Sequence, residues 1–114
     1  MDCTKRNFQE SVNYCKDKGS TIASFHSNED IKKGKDVLQS SSCRQAYIGA
    51  ISDGSGNWRW LDDSDWWEYR QNDGLAGTSE TKIVWDSDGK WNDWGTGAAK
   101  MGVICKAGNF TRFL

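Results

Sequence analysis

The chain has 114 residues, enough for one domain and short for two, so a single domain over 1–114 is expected. Its 15 Lys+Arg and 16 Asp+Glu leave a formal net charge of -1, which argues against a protein that coats nucleic acid. No apolar run approaches the roughly 20 residues of a membrane span, and 12 Gly, no Pro, 7 Trp and 4 Cys together exclude collagen, coiled coil and low-complexity disorder. No secretory leader precedes the first helical pattern, so a mature or trimmed form is expected.

The charges and aromatics are unevenly spread. All seven Trp lie between Trp58 and Trp94, and eight Asp plus Glu68 and Glu80 lie between residues 51 and 93. Only Arg59, Arg70, Lys82 and Lys90 oppose those acids in the same stretch. Like charges packed among aromatics need a reason. A bound cation is one, and solvated loops are the other.

In chain order, Phe8, Val12 and Cys15 share one helical face, and Gly19 after Lys16 and Lys18 reads as a helix stop. Residues 21–25 read as a short extended link. Ser27 followed by Asn28-Glu29-Asp30 reads as an N-cap with first-turn acids, opening a second helix that buries Ile31 and Leu38. Gly34 costs this helix about 1 kcal/mol relative to Ala, and Ser40-Ser41-Ser42 ends it. From Ala46 to Ile51 the pattern turns to a strand. Asp53-Gly54-Ser55-Gly56 is a turn, and Trp58-Arg59-Trp60 a strand with both Trp on one face. Residues 62–80 carry no period, and so long a stretch points to function or disorder. Lys82-Ile83-Val84-Trp85, a turn at 86–89, Lys90-Trp91 and Gly102-Val103-Ile104-Cys105 complete an α+β plan.

Four Cys in so short a chain suggest disulfides and an oxidising, extracellular setting. Spacing alone cannot choose among three pairings. A bridge between Cys15 and Cys105 would close most of the chain and limit unfolded-state entropy by about 4 kcal/mol. There is no Cys-x-x-Cys pair, and His26 is the single His, which argues against zinc.

At this point the ordered motifs resemble the C-type lectin-like domain. Phe8 to Ile22, "FQESVNYCKDKGSTI", is similar to that family's first helix with its Cys and following Gly. "SFHSNED" at 24–30 is similar to the link into its second helix, and Tyr47-Ile48-Gly49-Ala50 stands where the family has Trp-Ile-Gly-Leu. "NWRWLDDS" at 57–64, "KWND" at 90–93 and "GVICK" at 102–106 complete a set spanning about 8 to 106. The resemblance implies a C-type lectin-like fold, with two helices on small antiparallel sheets and a long calcium-binding loop. It also implies a Cys15–Cys105 bridge. The family's second bridge should fall near Lys82 and Thr96, and neither is Cys. Cys3 and Cys43 are additional and are expected to pair with each other, the alternative being free or intermolecular thiols. The family's first strand, before the first helix, has no expected counterpart in this sequence. The tail at 109–114 either compensates or is disordered.

In sugar-binding members a loop tripeptide supplies two calcium ligands, Glu-Pro-Asn in mannose-type and Gln-Pro-Asp in galactose-type sites. Four residues on from Trp67, Gln71-Asn72-Asp73 resembles the galactose type with its proline replaced. The implied calcium and sugar ligands are therefore Gln71, Asp73, Glu80, Asn92 and Asp93. Their chemistry is coherent in itself: three carboxylates and two amides are all oxygen donors, which calcium requires. Each sugar hydroxyl can accept from an amide NH2 while donating to a carboxylate. Exchanging acid and amide reverses the favoured hydroxyl geometry. The family's proline is usually cis, and a cis peptide at a non-proline residue costs about 3–4 kcal/mol. Either bound calcium offsets that strain, or the loop is trans with displaced ligands and these are plain turn residues.

Trp67 and Trp94, with Trp66 near them, are candidates for stacking on a galactose face, although core packing is the plainer reading for any one of them. Asp53 as a ligand for a second calcium gives way to a turn role. Asn109-Phe110-Thr111 is an N-glycosylation sequon. His26 has no partner pattern that would make it a catalytic base.

The expected function is a secreted, calcium-dependent lectin for terminal galactose or N-acetylgalactosamine, without catalysis. A mannose- or fucose-type preference is one alternative. A protein-interaction domain that has lost sugar binding is another. Single sugar sites bind weakly, so a homo-oligomer would add avidity.

Overall fold

The computed structural model describes residues 1–72, 75, 79–107 and 113. Among them run β1 (Asp2–Arg6), α1 (Phe8–Asp17), β2 (Ser20–Ile22), α2 (Asn28–Gln39), β3 (Gln45–Ser52), β4 (Trp58–Trp60), β5 (Lys82–Asp86), β6 (Trp91–Asp93), β7 (Met101–Val103) and β8 (Cys105–Ala107). The larger sheet has the order β1-β7-β3-β5-β6, with β4 on β3, and β2 pairs with β8 in a second sheet. This is the expected α+β, C-type lectin-like arrangement.

Both helices start where side chains satisfy their free N–H groups. Asn7 Oδ1 accepts from Glu10 N at 2.8 Å while Glu10 Oε1 accepts from Asn7 N at 2.9 Å, a reciprocal capping box. Ser27 caps α2 by accepting from Asp30 N at 3.1 Å. Phe8 and Cys15 on α1, and Ile31 and Leu38 on α2, are buried as their spacing predicts.

Three expectations need correction. A strand does precede the first helix: β1 pairs antiparallel with β7, with a register shift between Asp2 and Arg6. Its residues are polar and mostly exposed, so it lacks the alternation that marks a half-buried strand. The larger sheet is not wholly antiparallel, because β3 and β7 run parallel, with Ala46 opposite Gly102 and Tyr47 opposite Val103. The run at 102–105 is not one strand but breaks at Ile104 into β7 and β8, which belong to different sheets. Ile104 joins them by donating to Tyr47 O at 3.3 Å and accepting from Ala23 N at 2.9 Å.

The cysteines pair as Cys3–Cys43 and Cys15–Cys105, with Cα separations of 5.3 and 5.5 Å. The second bridge closes 90 residues of sequence separation and sits in the core.

The core between α2 and the large sheet is aromatic. Phe25, Trp60, Trp85 and Trp91 are fully buried. Phe25 meets Trp85 edge-on at 5.1 Å and stacks on Phe113 at 4.7 Å, so this residue of the tail docks into the core. Gly49 is needed in the Tyr-Ile-Gly-Ala motif because a Cβ there would lie 2.9 Å from Ile22 O and 3.0 Å from Ala23 O.

Behind β8 lies a polar cluster. Lys106 is 2% exposed, and its Nζ donates to Ser24 O at 3.0 Å and to Ser24 Oγ at 3.2 Å. Ser24 Oγ donates to Asp62 Oδ2 at 2.6 Å, and Ser64 Oγ donates to Asp62 Oδ1. His26 Nε2 lies 2.7 Å from Ser64 Oγ. Ser64 thus directs its proton to a carboxylate and takes part in a structural network.

Candidate functional site

The site is built around the β5–β6 hairpin. Trp85 pairs with Trp91, Val84 with Asn92 and Ile83 with Asp93. The pairing continues past β6, where Trp94 N donates to Lys82 O at 2.9 Å and Thr81 N donates to Gly95 O at 2.8 Å. Glu80 closes this end: its Oε2 accepts from Gly95 N at 2.9 Å. Glu80 is therefore held beside the segment that immediately follows Asp93.

The long loop reaches the other edge of β6. Trp91 N donates to Gln71 O at 3.0 Å, and Asn72 forms a parallel bridge with Trp91. Tyr69 anchors this approach. Its buried hydroxyl donates to Gln71 Oε1 at 3.2 Å, and its carbonyl accepts from Asn72 Nδ2. Farther along, Trp58 Nε1 donates to Leu75 O at 2.6 Å. No peptide between described residues is cis.

Gln71 thus lies against Trp91 at the start of β6, Asn92 and Asp93 lie on β6, Glu80 lies against Gly95 just past it, and Asp73 lies outside the described residues. Trp91 turns inward and is fully buried, whereas Asn92 and Asp93 are half-buried. Asn92 Nδ2 donates to Asp86 Oδ2, and Asp86 Oδ1 accepts from Gln45 Nε2 at 2.6 Å. The sequence reading missed this Gln45–Asp86–Asn92 row, because Asp86 opens an Asp-Ser-Asp-Gly turn and looks like a turn residue. Among the described residues no three His, Cys, Asp or Glu side chains form a metal cluster. The implied donor set contains only two carboxylates within those residues, the rest being amides and Asp73. Its all-oxygen chemistry suits calcium and not a soft metal.

Trp94 is 41% exposed beside Asp93, unlike a core residue. Trp66 and Trp67 are half-buried and pack against the aromatic core. Asp53 is a turn residue, accepting from Ser55 N at 2.8 Å and Asn57 Nδ2 at 3.0 Å. The sequon at 109–111 lies outside the described residues. Where the resemblance implies a further bridge near Lys82 and Thr96, Lys82 Nζ lies 5.0 Å from the centre of the Phe8 ring, and Phe8 N donates to Gly97 O at 2.9 Å. Burial pulls the Lys82 ammonium below its ordinary pKa. A cation–π contact and a backbone bond therefore tie this loop to α1 without a disulfide.

A family model for the lectin C-type domain matches residues 4–107, and the chain belongs to that family. The family is a non-enzymatic carbohydrate-recognition fold. The C-type lectin CEL-I from Cucumaria echinata is similar at 20% identity and TM-score 0.78, covering 90% of this chain and 83% of that one. The cow CD23 carbohydrate-recognition domain, solved in the presence of a GlcNAc2Man3 oligosaccharide, is 24% identical with TM-score 0.69 over 91% and 81% of the two chains. A calcium-independent type II antifreeze protein is 25% identical with TM-score 0.70 over 91% and 80%. Comparison with curated proteins returned no match. Among the described residues no helix is long and apolar enough to cross a membrane.

Proposed function

We propose that this chain is a secreted, single-domain lectin over 1–114 that binds terminal galactose or N-acetylgalactosamine through calcium. The observation that supports the reading is that Gln71 O bonds Trp91 at the start of β6 and Glu80 bonds Gly95 just past its end, on either side of Asn92 and Asp93 in the chain. Asp73, next in the loop, completes the proposed set. When bound, calcium supplies coordination positions that two neighbouring sugar hydroxyls can fill. The chain's own side chains do the orienting. The hydrogen bond to Asp86 takes the donor end of the Asn92 amide and leaves its carbonyl oxygen to face a cation. Tyr69 steadies Gln71. Gln at 71 with Asp at 73 is the arrangement that favours galactose-type hydroxyl geometry. Trp94 offers a ring for the sugar's apolar face. Two disulfides suit an oxidising, extracellular setting.

Thermal melts with calcium and with EDTA, each with galactose or mannose, test this. Calcium at ten times its Kd should stabilise the protein by about 1.4 kcal/mol. Galactose should add a further shift only when calcium is present. Glu80→Gln, which keeps the acceptor for Gly95 N but loses the charge, should abolish the calcium shift and leave the EDTA melt unchanged. A further shift with mannose in place of galactose would overturn the sugar preference alone. Identical melts in calcium and EDTA would overturn the metal site and favour a protein-recognising domain.

A further inference from the structure

A second concavity lies at the β1 edge of the large sheet. It has a volume of about 400 Å³, with Lys5, Arg44 and Lys100 around it, the Cys3–Cys43 disulfide in its wall and Gly102 among its lining residues. That volume is in the range of small-ligand sites and is large enough for one monosaccharide. All three cations are exposed. Among the described residues none of the three is in an ion pair, unlike Arg6 and Arg59, which face Asp2 and Asp63. No acid lines the concavity. Two acids beside the lining residues are already engaged: Asp2, next to Cys3, accepts from Arg6 at 2.6 Å, and Asp86, bonded to Gln45, also accepts from Asn92. Three like charges around one hollow, in a chain of net charge -1, form a local positive potential that the overall balance hides.

We infer that this hollow binds the oxyanion of a sugar sulfate or phosphate ester, independently of the calcium site. Arg44 offers a planar fork that matches two oxyanion oxygens, and the two lysines supply flexible point charges. The disulfide ties β1 to the start of β3, so Lys5 and Arg44 are held on one rigid wall. A nucleic acid or an anionic membrane would call for a longer basic track than three side chains around one hollow.

The test is a backbone-amide NMR titration in EDTA, which silences any calcium-dependent sugar binding. The probes are N-acetylglucosamine 6-sulfate, N-acetylglucosamine 6-phosphate, N-acetylglucosamine and inorganic sulfate. Either ester should shift amides near residues 3–5, 43–45 and 100–102, and the tighter one identifies the oxyanion. Its affinity should fall several-fold as salt screens the charges. Arg44→Gln with Lys100→Gln should weaken binding about tenfold, and Arg44→Lys, which keeps the charge but loses the fork, should weaken it by a smaller factor. An unchanged melt of the double variant separates lost binding from lost fold. The inference is overturned if neither ester shifts these amides, if the neutral sugar binds equally, or if the double variant binds as tightly. Inorganic sulfate binding as tightly as the esters would overturn the sugar component. A failed calcium melt leaves this result untouched, because the titration contains no calcium.

Discussion

Gly34→Ala is expected to destabilise the protein by about 2–3 kcal/mol, lowering the melting temperature by roughly 10 °C. Helix propensity alone gives the opposite sign, since alanine in a helix interior is better than glycine by about 1 kcal/mol. Packing decides. A Cβ at Gly34 would lie 2.6 and 2.9 Å from Trp85 ring atoms and 2.7 Å from Phe25. Neither ring has room to yield. Both are fully buried, Trp85 Nε1 is tied to Gly89 O at 3.1 Å, and Phe25 is stacked under Phe113. Overpacking of this kind usually costs 1–3 kcal/mol and here involves two rings at once. Urea denaturation of parent and variant gives the difference directly. A variant as stable as the parent would mean that α2 can lift away from the sheet.

The same glycine shows what the sequence could and could not reveal. The periodicity of Ile31 and Leu38 marked α2, and Gly34 stood out only as a weak point. Its reason lies in Phe25 and Trp85, which reach it from the preceding link and from a strand some fifty residues on. Local patterns carried both helices, β3 and the β5–β6 hairpin, because each buries a face with its own period. They failed for β1, whose exposed polar residues are ordered by a partner at the other end of the chain. They failed again at Ile104, where one apolar run serves two sheets.

The candidate site divides along the same line. Trp91-Asn92-Asp93 stands out in the sequence as a motif and Glu80 as the next acid after the loop tripeptide, and the β5–β6 hairpin folds the chain back so that Glu80 meets Gly95 just past that motif. The Asp86 support for Asn92 was hidden, because a turn aspartate and a second-layer acceptor look alike in sequence. Exposure separated Trp94 from Trp66 and Trp67, which no period could do.

Lys106→Met should cost about 2–3 kcal/mol at pH 7, and that cost should shrink in acid. Met keeps most of the volume of the side chain but removes its charge and its donors. Ser24 O and Oγ would lose a buried partner, and Asp62 would lose a nearby positive charge. Burial alone would push the Asp62 carboxyl up. Hydrogen bonds from the Ser24 and Ser64 hydroxyls and the Ser64 amide, together with the Lys106 charge, outweigh burial and hold it below the usual carboxylate range. Burial in turn pulls the Lys106 ammonium down, against the opposing pull of Asp30 and Asp62. The sign for Asp62 follows from linkage. A carboxyl whose folded pKa is depressed contributes stability above its ordinary pKa and loses it as pH falls through the folded value. Asp2, held at about 2 mainly by the Arg6 hydrogen bond, loses its contribution in the same acid limb in both proteins and so cancels from the comparison. In the Met variant Asp62 titrates higher, so the penalty is largest near neutrality and falls away once Asp62 is protonated and needs no countercharge. Denaturation at pH 7 and at about pH 3 reads both numbers. A penalty independent of pH would mean that Lys106 matters for its hydrogen bonds to Ser24 and not for its charge.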